Sequence, residues 1–291
     1  MKNFGKTIKI FLVDGEPNGR MTCELSNWTG KAFKIPRKKI KISSDRPELE
    51  NTGIYILFGR SDKSENKELA YIGEAEGIYK RLTQHLSYKD FWNEAIVFVS
   101  KDENLNKAHI KYLESRLYEI AIRVKRYDLD NGNIPPRPVI SESDQAEMEE
   151  FLENIKLLVN TLGFKIFEEL REDSQTIEEE IDNTFYINST RGANAKGQLT
   201  NEGFVVLKNS QIAGSVTKSF PKNWLSFRQS LVEDGVIQNI NNSLTFVQDY
   251  LFSSPSAAAA IVMGRSANGL TEWKLADGRI LKAVESPENA L

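Results

Sequence analysis

Gly53-Ile54-Tyr55-Ile56-Leu57-Phe58 and, beyond a polar loop from Gly59 to Glu68, Leu69-Ala70-Tyr71-Ile72-Gly73 decide the fold. Both runs are apolar and β-prone, and the loop between them suits a long hairpin better than a crossover. Gly77 then precedes a helical pattern in which Ile78, Leu82 and Leu86 recur every four residues as one buried stripe. Arg81 and His85, also four apart, share the neighbouring face, and Tyr88 extends it. Ala95 to Val99 is a third apolar strand. Lys107 to about Lys125 is a strong helix with Ile110, Leu113, Leu117, Ile120 and Val124 on one side. Glu114 adjoins that apolar stripe, which is not the ordinary place for a carboxylate.

Outward from this centre, Thr7 to Val13 and Met21 to Trp28 read as a hairpin around the turn formers Asp14 to Gly19. A basic run follows at Lys31, Lys34, Arg37, Lys38, Lys39 and Lys41, interrupted by Pro36. It reads either as a solvated edge guarded by its lysines or as a set of phosphate contacts, with Lys38 and Lys39 the candidates. Past the loop of Asn131 to Pro138, Ser141 opens a helix with Met148, Phe151, Leu152, Ile155 and Leu158 on its apolar face. The expected organisation is an N-terminal β-hairpin with its basic segment over 1–48, a central domain over 49–167, an acidic linker over 168–182 and a small α+β domain over 183–291. In the last, 184–188 and 203–208 read as strands, 191–197 as a Gly-rich turn, 226–234 and 257–262 as helices, and 269–281 as a terminal hairpin turning at Asp277-Gly278.

The 291 residues are 40% hydrophobic and 27% charged with a net charge of −3, which excludes a wholly basic nucleic-acid coat but not a basic groove. The single cysteine, Cys23, excludes an intrachain disulfide and a thiol-rich metal site, and makes a reducing cytoplasm the natural home. The first eleven residues lack the apolar core of a signal peptide, and no run approaches the roughly 20 apolar residues of a membrane span.

Two tyrosines on adjacent strands, an arginine and a histidine on one helix and a glutamate on another are the parts of a phosphodiester-cutting site. That chemistry needs a nucleophilic water, neutralisation of the phosphate and help for the leaving oxygen. Glu114 is the candidate ligand for Mg²⁺ or Mn²⁺, because such ions keep several waters and need few protein oxygens. Arg81 has the planar fork to clamp a phosphate. Tyr55 or Tyr71 would take a proton from water only with its pKa lowered by a cation, and His85 would share that proton traffic. Each residue alone has an ordinary reading: strand ends for the tyrosines, a surface charge for Arg81, a half-buried histidine for His85. Tyr79 and Tyr88 read as packing or as flanking the site, His109 as structural or a phosphate contact, Glu119 as solvated, and Trp224 and Trp273 as core or as platforms for base stacking.

The ordered set of Gly53-Ile54-Tyr55, Tyr71-Ile72-Gly73, Arg81, His85 and Glu114 resembles the GIY-YIG nuclease superfamily. The resemblance implies an α+β fold with a small three-stranded antiparallel sheet flanked by helices, and cleavage of DNA with one divalent cation. It implies that Tyr55 and Tyr71 shape and activate the nucleophile, Arg81 holds the phosphate and Glu114 binds the metal. The late asparagine of that superfamily is taken as Asn131, with Asn133 the alternative. Glu74 departs from the lysine of repair-type members, and an acid there would repel a phosphate. Ser254-Pro255-Ser256-Ala257-Ala258-Ala259, Gly264-Arg265, Asn268-Gly269, Trp273, Gly278 and Leu281 resemble DUF4357, which implies a nucleic-acid-binding or targeting role. The expected partner is DNA, duplex or branched. A homodimer is a further expectation, because one site must nick or pair up to break both strands. Two rivals are a binding module of the same fold without turnover and a protein that recruits a partner through its C-terminal domain.

Overall fold

The computed structural model describes residues 4–60, 68–170 and 183–285. The chain divides into two compact units, residues 1–168 and 169–291, both mixed α+β. The acidic 168–182 stretch lies outside the described residues from position 171 onward.

The first unit is built on one seven-stranded sheet, in the order β1-β2-β3-β6-β4-β5-β7. Its strands are β1 (Ile8–Leu12), β2 (Met21–Leu25), β3 (Gly30–Pro36), β4 (Gly53–Arg60), β5 (Glu68–Ala75), β6 (Trp92–Ser100) and β7 (Asp128–Leu129). Its central strands β6, β4 and β5 run antiparallel, with Tyr55 opposite Gly73 and Leu57 opposite Tyr71, but within seven strands rather than the small three-stranded sheet expected. The N-terminal hairpin does not stand apart: β3 pairs with β6 from Gly30–Ser100 to Pro36–Glu94 and carries β2 and β1 with it. The reading of the basic run as a solvated edge is therefore overturned for Lys31 and Lys34, which lie in β3, whereas Arg37–Lys39 and Lys41 lie in short helical turns beyond the sheet. β3 is an interior strand because Pro36 is its last residue, where the missing N–H breaks no central ladder, and Ala32, Phe33 and Ile35 are buried between its lysines. β7, parallel to β5 through Leu69–Asp128 and Ala70–Leu129, is too short to leave a sequence pattern.

Alternation sends successive side chains of the central strands to opposite faces. Ile54, Ile56, Ala70, Ile72, Ile96 and Phe98 meet α2 (Lys107–Val124) and α3 (Glu142–Thr161). Tyr55, Leu57, Val97 and Val99 meet Ile78 and Leu82 of α1 (Ile78–Tyr88). α2 starts where the Asn106 side chain accepts hydrogen bonds from the N–H groups of Ala108 (2.8 Å) and His109 (3.0 Å). α3 starts at Ser141, whose Oγ accepts from Asp144 N–H at 3.1 Å. Both helices are thus held at their first turn by local side chains.

The second unit has a four-stranded sheet, β13-β10-β9-β8, and a separate β11-β12 pair. These strands are β8 (Thr184–Asn188), β9 (Asn194–Thr200), β10 (Gly203–Val206), β11 (Ile237–Ile240), β12 (Ser243–Phe246) and β13 (Tyr250–Phe252). The helices are α4 (Lys222–Glu233), α5 (Pro255–Met263), α6 (Gly269–Glu272) and α7 (Leu281–Val284). Two expectations are corrected. The Gly-rich segment is largely strand β9, in which Gly197 is needed because a Cβ there would sit 2.3 Å from the Phe204 ring. The proposed terminal hairpin begins as helix α6, since Asn268 Oδ1 caps Leu270 N–H at 3.1 Å; a single Lys274–Ile280 bridge remains around the turn at Gly278. Every residue of α5 from Ala257 to Met263 is buried, so its alanines serve close packing as well as helix propensity. Trp273 is fully buried and is core.

Candidate active site

Four of the five singled-out side chains come together on the α1 face of the central sheet. Tyr55 is fully buried, and its Oη lies 2.7 Å from His85 Nε2 and accepts a 3.3 Å hydrogen bond from Arg81 Nε. The Tyr55 and Tyr71 rings stack at 6.1 Å, and the Tyr71 ring meets the edge of His85 at 5.3 Å. Helical spacing delivers Arg81 and His85 to the same point. Tyr55 and Tyr71 face the same side because they differ by two residues in antiparallel register, Tyr55 opposite Gly73. Gly73 is part of the device: a Cβ there would lie 2.4 Å from the Tyr55 oxygen and 2.8 Å from the Tyr71 ring.

The electrostatics separate inner and outer residues. Burial raises the Tyr55 phenol above its ordinary range, the Tyr71 side chain adds to this, and Arg81 only partly opposes it. Burial and the nearby charges of Arg81 and Lys89 press His85 down to about 4. At neutral pH a neutral phenol and a neutral imidazole therefore share one hydrogen bond. The protein's own groups hold the Tyr55 phenol high, because desolvation exceeds the effect of the single guanidinium. Arg81 is exposed, its Nη1 donates to Gln84 Oε1 at 3.3 Å and it also interacts with Tyr71, so the fork lies at the solvent-facing side of the cluster.

His85 gives the first unit a pH dependence of known sign. Its ordinary pKa of 6.5 is lowered to about 4 in the fold, so the unfolded chain takes up the proton first. The stability this provides is complete above pH 6.5 and drains as pH falls towards 4, by up to about 3 kcal/mol. Urea titrations at pH 7.5 and pH 4.5 should show wild type losing about 2 kcal/mol more than His85→Gln. Equal losses would mean that His85 is not held neutral by the fold.

Glu114 stands differently. Among the described residues it makes no hydrogen bond or ion pair with the other four. It approaches β5 from the α2 face, at Glu74, the residue after Tyr71-Ile72-Gly73. Burial first, and then the Glu74 charge, raise it to about 7, against the pull of Lys107, the Glu74 backbone N–H and Lys111. Lys107 Nζ bridges Glu74 at 2.9 Å and Glu76 at 3.5 Å. The acid that departs from the repair-type pattern is thus matched by a lysine from α2, a pairing set by helix–sheet packing and invisible in the sequence. Among the described residues no group of three or more His, Cys, Asp or Glu side chains is arranged to hold a metal. The donors still fit a hard cation in kind, since Glu114 and the neighbouring Glu74 offer carboxylate oxygens, the ligands such ions take.

Asn131 clamps β5 where the strand ladder ends: its Oδ1 accepts from Ile72 N–H at 3.1 Å and its Nδ2 donates to Ile72 O at 2.8 Å. Asn133 makes no such contact. Lys89, not singled out from the sequence, places Nζ 4.2 Å from the Tyr71 ring centre and pairs with Asp130, tying α1 to the Asn131 segment. Its position four residues after His85 was the available signal. In the basic run, Lys31 pairs with Glu48 at 2.9 Å and Lys34 with Glu94 at 3.3 Å. Arg37 donates to the Lys89 and Leu86 carbonyls at the end of α1. Lys39 reaches Asp14 at 3.7 Å, and Lys38 is exposed. His109 is a buried member of the α2 cap, Glu119 pairs with Arg116 at 3.0 Å, Tyr79 donates to Lys41 O at 3.1 Å, and Tyr88 is 85% exposed.

Residues 185–285 match DUF4357, a domain of unknown function. The second unit contains this domain. No curated protein and no solved structure matches the chain. No helix among the described residues is long and apolar enough to cross a membrane.

Proposed function

We propose that the first unit is a divalent-metal-dependent endonuclease of the GIY-YIG kind, hydrolysing phosphodiester bonds in DNA, and that the DUF4357 domain binds or targets nucleic acid. The observation that carries this reading is the hydrogen-bonded cluster of Tyr55, His85 and Arg81 with Tyr71 stacked beside it, drawn from two strands and a helix in the order of the superfamily's motifs. Arg81 offers its exposed fork to the scissile phosphate. Tyr55 and His85 lie behind it and hold one proton between Oη and Nε2. The pair can accept a proton at one end and release one at the other without a lasting charge on the buried phenol. Tyr71, partly exposed, shapes the space in front of that pair. Glu114, with Glu74 beside it, would hold Mg²⁺ or Mn²⁺. A bound cation of this kind would neutralise charge on the phosphate and on the leaving oxygen.

The test is incubation of the full chain with plasmid or branched DNA and Mg²⁺ or Mn²⁺. Wild type is expected to nick or linearise the substrate and Glu114→Ala to be slower by about 10²-fold or more. Identical behaviour of the two proteins on every substrate would overturn the assignment. A second reading, a nucleic-acid-binding module without turnover, is favoured by one observation. Glu74 adds a negative charge next to Glu114 that Lys107 already has to balance. Salt-dependent DNA binding with no cleavage would select it. Capture of a stable protein partner without DNA affinity would instead select a recruiting role.

A further inference from the structure

Among the described residues no strand pairs with the outer edge of β1, the end strand of the seven-stranded sheet. Its register on β2 runs without a break from Ile8–Leu25 to Leu12–Met21. Two flanking bonds, Ser26 N–H to Thr7 O (3.0 Å) and Val13 N–H to Arg20 O (2.9 Å), extend the same ladder. They assign the odd-numbered residues to the inward hydrogen-bonded pairs, so the N–H and C=O groups of Ile8, Ile10 and Leu12 point outward. Edge strands are usually blunted by proline, bulges or several charges. β1 has no proline, no bulge and one lysine. It leaves Ile10 48% and Phe11 63% exposed.

We propose that β1 pairs antiparallel with β1 of a second copy of this chain, about a two-fold axis at Ile10, joining two sheets into one. Only the register centred on Ile10 overlaps the whole strand with itself. It sets Ile8 against the partner's Leu12 and Ile10 against the partner's Ile10, each exchanging both outward hydrogen bonds. On the other face it sets Lys9 against the partner's Phe11, so an ammonium meets an aromatic ring. A register centred on Lys9 would place two ammonium groups directly opposite each other. Ile10 stands opposite Cys23, a member of the core between the sheet and α2. The partner's Ile10 therefore prolongs an apolar layer already present. The contact is isologous and closes at two copies. The inference is independent of the nuclease reading.

Cys23 is fully buried, which leaves the chain without an accessible thiol. Full-length Lys9→Cys and Phe11→Cys, mixed in equal amounts under mild oxidant, should form a disulfide-linked dimer. Directly opposed residues in a non-hydrogen-bonded pair lie about 4.5 Å apart at Cα, within disulfide reach. Each variant alone should cross-link several-fold less, because like positions then sit on a diagonal. Sedimentation velocity across a wide concentration range should show wild type moving from monomer to dimer. Ile10→Lys, which puts two charges on the axis, should remain monomeric with an unchanged far-ultraviolet circular dichroism spectrum. A wild type that stays monomeric throughout, or single variants that cross-link as well as the mixture, would overturn the proposal.

Discussion

Arg81→Ala should lower the proposed DNA-cleavage activity by about 10²–10³-fold, the loss found when one preorganised donor to a developing charge is removed. Arg81 is exposed and its contacts with Tyr55, Tyr71 and Gln84 are peripheral to the core, so the fold should change by less than about 1 kcal/mol. Arg81→Lys should recover little, because an ammonium cannot hold the Tyr55 oxygen at one edge and present a two-pronged face to phosphate at the other. Binding should be affected far less than turnover, with the salt slope of DNA affinity falling by about one unit or less. Single-turnover kinetics with saturating enzyme measure the chemical loss, and titrations at several salt concentrations measure the binding loss. Activity of Arg81→Ala within threefold of wild type would remove Arg81 from the reaction.

Trp273→Ala should be the most damaging single change in the second unit. The side chain is fully buried, packs tilted against the Phe204 ring at 4.5 Å and donates from Nε1 to Pro255 O at 3.0 Å. Truncating such a group costs about 3–5 kcal/mol through lost burial and a residual cavity. The Pro255 carbonyl, in the first turn of α5, would also lose its donor. For a unit of this size the melting temperature should fall by about 10–20 °C. Trp273→Phe should retain part of the packing but not the hydrogen bond, and should fall between the two. Differential scanning calorimetry of the full chain, with limited proteolysis to show which unit opens, checks the result. A shift of only a degree or two would mean that the core of α5, β10 and Trp273 tolerates a void.

The sequence and the structure agree best where the signal is local. The strands at 53–60 and 68–75 and helices α1, α2 and α3 follow from hydrophobic period, and the Ser141 and Ser254 caps from side-chain oxygens within three residues of the N–H they receive. Arg81 and His85 could be put on one face because a helix fixes the relation of residues four apart. Strand β3 is not legible locally, because Pro36 carries the same signal whether it ends a strand or interrupts one. β9 has the local composition of a turn, because the reason for Gly197, the Phe204 ring above it, lies on another strand.

By itself the sequence determined the residue types, their order and the periodicities that assign each to a strand or helix, since these depend on bonds along the chain. Only tertiary structure decided the protonation state of Tyr55 and His85, the balancing of Glu74 by Lys107, the clamp of Asn131 on Ile72 and the place of β1 at the end of the sheet. Those properties arise from burial and from pairings between distant segments, and desolvation and Coulomb energies are set by distance in space.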